Sequence, residues 1–100
     1  MQIGKLYQIK NYFWLLYPSK DIAARSILHV ARYGAGEIAA LSKRFNCNVS
    51  CIDPSSIFFF IEEDLQEDGK YLKVLTTNGE LGWIRYPEDK EWAKSIEEVA

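Results

Sequence analysis

The chain has little of what metal and acid–base chemistry need: one histidine and two cysteines in 100 residues. A lone His29 leaves general acid–base catalysis without a pair of titrating groups. Cys47 and Cys51 have three residues between them and no second cysteine pair, which is not a zinc half-site. In extended backbone their Cα atoms would lie roughly 13 Å apart, too far for a disulfide, so both read as buried inert thiols. Gly34-x-Gly36 lacks the preceding strand, third glycine and lysine of a phosphate loop. The acids Glu62, Glu63, Asp64, Glu67 and Asp68 lack the alternate spacing of a calcium loop and read as a solvated turn. These residues call for no cofactor, no metal and no catalytic role.

Long apolar runs are also missing. Nothing approaches the ~20 residues that span a bilayer. Residues 1–10 alternate polar and apolar, without the apolar region and cleavage site of a secretory leader. A cytoplasmic location is expected, and two cysteines agree with it. Three prolines and six glycines are scattered, so no linker, repeat or low-complexity tract divides the chain, and residues 1–100 read as a single domain.

Apolar residues are 48% and aromatics 14%, enough for one large-residue core. The net charge of −2 hides an asymmetry. Residues 1–50 hold seven basic side chains and two acids, a balance of +5; residues 51–100 hold five and twelve, a balance of −7. Either the halves interleave, or Lys5, Lys10, Lys20, Arg25, Arg32, Lys43 and Arg44 build one basic face.

Period-2 patterning predicts strands at 3–9, 48–52, 57–62, 71–76 and 81–85, and the run Tyr12–Tyr17 has strand length. The Phe58-Phe59-Phe60 run predicts a strand with both faces covered. Asn78-Gly79 predicts a tight type I′ hairpin. Ala24, Ile27, Leu28 and Ala31 predict a helix over 21–33, N-capped by Ser19, and a second helix is expected at 37–45. Trp92, Ile96 and Val99 predict a C-terminal helix over 87–98, although Glu97 and Glu98 oppose its dipole.

Residues 57–86 carry a resemblance. A strand, an acidic turn, a strand and an Asn-Gly hairpin lead into Gly79-Glu80-Leu81-Gly82-Trp83-Ile84. This order resembles the second half of SH3-like barrels, as in bacterial SH3 domains, and Leu6-Tyr7-Gln8-Ile9 resembles their opening strand. The strings Tyr12–Ser19 and Asn78–Ile84 also resemble small proteins of phages infecting marine cyanobacteria, which carries no activity with it. The SH3 resemblance implies a small antiparallel SH3-like barrel or bent sheet, and the helical spacings add a helical insertion at about 20–46 and a C-terminal helix at about 87–98, an α+β fold. The insertion departs from the family, where a loop forms one wall of the peptide groove.

The function expected is a non-enzymatic protein-interaction module of SH3-like type, a viral or accessory factor. Tyr7, Trp83 and Tyr86 would form its partner-binding face. An acidic rim beside aromatic rings favours a basic or Pro-rich protein or peptide. The alternative is a nucleic-acid-binding domain whose basic helical face comprises Arg25, Arg32, Lys43 and Arg44, with Tyr12 and Tyr33 to stack a base. A homodimer through an aromatic patch or sheet edge fits either.

Overall fold

The computed structural model describes residues 2–10, 13–26, 30–31, 35–67, 69–86 and 94–99. Among them are eight strands and two helices, mostly antiparallel sheet. The strands are β1 (Leu6–Ile9), β2 (Phe13–Leu16), β3 (Val30–Ala31), β4 (Ser50–Ile52), β5 (Ile57–Gln66), β6 (Gly69–Thr76), β7 (Leu81–Tyr86) and β8 (Ile96–Glu98). The helices are α1 (Lys20–Arg25) and α2 (Ala35–Phe45). A five-stranded sheet runs β7-β6-β5-β1-β8, and a three-stranded sheet runs β3-β2-β4. No helix is long and apolar enough to cross a membrane among the described residues.

The large sheet turns alternate residues to opposite faces. Its inner face carries Tyr7, Ile9, Phe58, Phe60, Leu72, Val74 and Ile84, which pack on Trp14, Leu16 and Ile52 of the small sheet. The opposite side of β2, Leu15 and Tyr17, packs with Ala23 of α1, Leu41 of α2, Val49 and Tyr71. β2 is therefore a middle layer with both faces covered, and its continuous apolar sequence follows from that position. The Phe58–Phe60 run is different. Phe58 and Phe60 are buried, while Phe59 points outward and is 38% exposed. The expectation that both faces of this strand are covered is corrected.

The two sheets meet where Tyr17 and Trp83 exchange backbone hydrogen bonds, 2.8 Å in each direction. Gly82 lies beside this crossing. A Cβ there would stand 2.7 Å from Leu16 Cγ and 2.8 Å from the Tyr17 carbonyl oxygen. β5 carries a register shift against β6 between Phe60 and Glu62.

Several expected elements change. Ser19 does cap α1, accepting from the Ile22 N–H at 3.3 Å. The helix stops at Arg25, far short of residue 33, because tertiary partners hold Ser26 extended. Tyr17 Oη donates to Ser26 Oγ at 2.6 Å, and Arg85 Nη1 donates to the Ser26 carbonyl at 2.5 Å. The chain then supplies β3 to β2, so the insertion is not wholly helical. Residues 27–29 and 32–34, including His29, lie outside the described residues.

At the other end, the expected helix over 87–98 is replaced over 96–98 by β8, paired with β1; residues 87–93, including Trp92, lie outside the described residues. Glu97 and Glu98 would oppose a helix dipole. In β8 they instead meet Lys10 at 3.0 Å and Lys5 at 3.3 Å. The Asn78-Gly79 hairpin is not type I′, which would need positive φ at both residues. Only Gly79 has it (φ 88), and the Gly79 N–H bonds to the Thr76 carbonyl at 3.0 Å. The loop is a type I turn followed by a left-handed glycine.

Candidate functional surfaces

The outer face of the five-stranded sheet is divided. At one end α1 lies over β7, where Trp83 and Ile22 pack against the cluster that holds Tyr17, Ala23 and Tyr71. At the other end the face is partly open. There Leu6 sits opposite Phe59, Phe59 opposite Leu75, and Leu75 opposite Leu81. These four side chains form one row across β1, β5, β6 and β7, about 14 Å long at the ordinary strand spacing. Leu6 is 45% exposed, Phe59 38%, Leu75 38% and Leu81 54%. Single exposed apolar side chains are ordinary, whereas four in register form a patch. Beyond it, Leu65 is 75% exposed near the tip of the β5–β6 hairpin.

Trp83 lies on this same face, one rung from Leu81. It is half-buried, with Lys20 Nζ 5.2 Å and Lys73 Nζ 5.9 Å from its ring centroid. Lys20 also binds the Asp64 carboxylate, which anchors the start of α1 to the hairpin. That hydrogen bond holds the Asp64 carboxyl below its ordinary range and raises the Lys20 ammonium. Lys70 pairs with Glu63 at 3.0 Å. Glu62, Glu67 and Glu80 make no ion pair among the described residues.

The three aromatic residues expected to form a partner-binding face are not brought together. Tyr7 is only 4% exposed; its ring lies 5.9 Å from that of Phe58, and its hydroxyl accepts from the Gln2 N–H at 2.5 Å. It belongs to the core because it shares the inward phase of β1 with Ile9, and as a binding residue it is corrected. Trp83 and Tyr86 lie three apart on one strand, so they face opposite sides of the sheet. Tyr86 packs at the edge of the inner core, with Lys70 Nζ 5.3 Å from its ring. Only Trp83 borders the exposed row.

The basic residues divide as well. Lys5, Lys10 and Lys20 are each paired with an acid from the second half of the chain, so much of the charge asymmetry interleaves. Arg25 ends α1, and Lys43 and Arg44 lie in the last turn of α2. The Arg25 guanidinium lies 5.8 Å and the Arg44 guanidinium 5.6 Å from the ring centroid of Phe45. Arg25, Lys43 and Arg44 are exposed and form no ion pair among the described residues. Arg32, Tyr12 and Tyr33 lie outside the described residues.

Both cysteines are free, and they are half-buried rather than buried as expected. Burial, a hydrogen bond from Cys51 Sγ to Asp53 Oδ1 at 3.3 Å, and the Asp53 charge push the Cys51 thiol up to about 12. At neutral pH almost none of it is thiolate, the reactive form. Iodoacetamide is expected to modify Cys51 at pH 8 much more slowly than a free thiol in the urea-unfolded chain. Mass spectrometry of the peptide containing Cys51 checks this, and equal rates in the two states would contradict the burial of this thiol beside Asp53. Among the described residues no group of three or more potential metal ligands gathers. An open groove of about 410 Å³ lies between Leu16–Pro18, Asn48–Ser50 and Glu80–Leu81.

Sequence reasoning missed Leu6, Phe59, Leu75, Leu81 and Phe45 as surface residues. The first four occupy the outward phase of strands in which apolar side chains occur in both phases, so alternation alone gave no sign of an open face. Phe45 shares a helical stripe with Ile38 and Leu41 and reads as core. No protein-family model, curated protein or solved structure matches the chain.

Proposed function

We propose that the protein is a non-enzymatic protein-interaction module of SH3-like type. Its docking face is the partly open outer side of the five-stranded sheet rather than a Tyr7–Trp83–Tyr86 surface. The resemblance is supported by β1 lying in one sheet with the β5–β6–β7 meander. The observation that carries the docking reading is the in-register row Leu6–Phe59–Leu75–Leu81. Its occupant is an extended protein segment with apolar and cationic side chains. The apolar ones cover the row. The cationic ones answer Glu62, which stands across from Lys73 on the rung of Trp83, and Glu80, which precedes Leu81. Charge complementarity of this kind sets register and partner choice more than raw affinity.

The test is selection of peptides from a displayed random library on the immobilised protein, followed by amide chemical-shift mapping with a selected peptide. Enriched peptides are expected to combine apolar with Lys or Arg residues and to shift amides of β1, β5, β6 and β7. Leu75→Asp with an unchanged melting temperature is expected to weaken binding about tenfold or more. Shifts confined to other surfaces, or binding unaffected by Leu75→Asp, would remove this face. Sedimentation that shows a dimer abolished by Leu75→Asp would assign the face to a second copy instead.

A further inference from the structure

The ends of the two helices form a second, independent surface. α1 and α2 both finish beside Phe45, a ring anchored in the helix-side core with Leu41. Two guanidiniums, Arg25 and Arg44, share that ring at 5.8 and 5.6 Å, and Lys43 flanks them in the same last turn of α2. A cation in the last turn of a helix is ordinary, because it complements the helix dipole. The convergence of two such ends on one half-exposed ring is not explained by that effect.

The contrast with the rest of the molecule is sharper. Lys5, Lys10, Lys20 and Lys70 are each neutralised by a carboxylate, while Lys73 lies over the Trp83 ring. Arg25, Arg44 and Lys43 have no such carboxylate among the described residues. The geometry of α1 separates the two environments. Lys20 at its start binds Asp64 of the acidic hairpin, while Arg25 lies at its far end, about 8 Å along the axis. The other acids of the first half, Asp21 and Glu37, lie in the opening turns of α1 and α2, away from the cluster.

We infer that this cluster binds single-stranded nucleic acid. Three unpaired cations suit successive phosphates. A half-exposed ring with guanidinium planes beside it suits an unstacked base, which can stack on either. A duplex keeps its bases stacked inside and can use only the phosphate part of this surface. Among the described residues the surface has no arrangement for reading base edges, so binding is expected to be indifferent to sequence.

Fluorescence anisotropy of a labelled fifteen-nucleotide oligothymidine tests the assignment, with a duplex of the same length and inorganic polyphosphate as competitors. About three phosphate contacts on a single strand predict that raising salt from about 50 to about 200 mM weakens binding about twentyfold. In Arg25→Gln/Arg44→Gln the same change is expected to weaken the residual binding only about threefold. Phe45→Leu, which keeps the buried apolar volume, is expected to lose about tenfold at fixed salt. Lys10→Gln, at a paired surface lysine, is expected to leave binding unchanged, and circular dichroism verifies that each variant is folded. Absence of binding at about 50 mM salt overturns the inference, as does a folded arginine double variant that binds like the parent. Equal competition by polyphosphate together with no effect of Phe45→Leu also overturns it, assigning the cluster to bare phosphate.

Discussion

Gly82→Ala is expected to lower stability by about 3 kcal/mol. The added methyl group would stand 2.7 Å from Leu16 Cγ and 2.8 Å from the Tyr17 carbonyl oxygen. Leu16 is buried among the inner-face residues. The Tyr17 carbonyl is held in place because it accepts from the Trp83 N–H at 2.8 Å while the Tyr17 N–H bonds back to Trp83. Any relief therefore has to separate the two sheets at their crossing. In a domain of this size such a loss corresponds to a melting temperature lower by roughly 15 °C. Gly36→Ala is the control: it lies in the first turn of α2 with open space around it, so alanine is expected to be neutral or slightly stabilising. Thermal unfolding followed by circular dichroism checks both. A shift of only a few degrees for Gly82→Ala would mean that the sheets are not pressed together there.

The same crossing shows why part of the fold was legible in the sequence and part was not. The strands of the meander were legible because their inward residues alternate strictly, as in Leu72, Val74 and Ile84. Gly82 was visible as part of a recurring hairpin string, but the reason for a glycine was not, because Leu16 and Tyr17 approach from 65 residues or more earlier in the chain. Helix α1 has a legible start, since a serine cap is a local signal. Its end is not local: Tyr17 and Arg85 fix Ser26 from elsewhere in the fold. Ile96–Glu98 failed for a related reason. A helical stripe was present, and the lysines that favour a strand lie at Lys5 and Lys10.

The surfaces were less legible than the core. Aromatic content directed attention to Tyr7 and Tyr86, yet strand phase turns both inward. The exposed row depends on cross-strand register, which no single strand encodes. The basic cluster was partly legible, because Arg25 and Arg44 stand in last helical turns. Its focus on Phe45 comes from how the two helices dock on β2.

Trp14 should be the most costly side chain to remove. It is fully buried, packs between the two sheets, and its indole N–H donates to Ser95 Oγ at 3.1 Å beside the start of β8. Trp14→Ala is expected to cost about 4 kcal/mol. Against a total of about 5–15 kcal/mol for a small domain, much of the stability would go. Ser95→Ala is expected to cost about 2 kcal/mol, because it leaves the buried indole N–H without an acceptor. Trp14→Phe separates packing from this polar tie. Phenylalanine keeps most of the ring volume and brings no N–H, so Ser95→Ala made in that background should cost distinctly less. Whatever else Ser95 touches is present in both backgrounds and cancels in the difference. Urea midpoints of the four proteins measure the coupling, expected at about 1 kcal/mol or more. An equal cost for Ser95→Ala in both backgrounds would show that the indole does not fasten β2 to the β8 side of the large sheet. A clear difference would show that one buried hydrogen bond ties the middle layer to the final strand, across 81 residues of sequence.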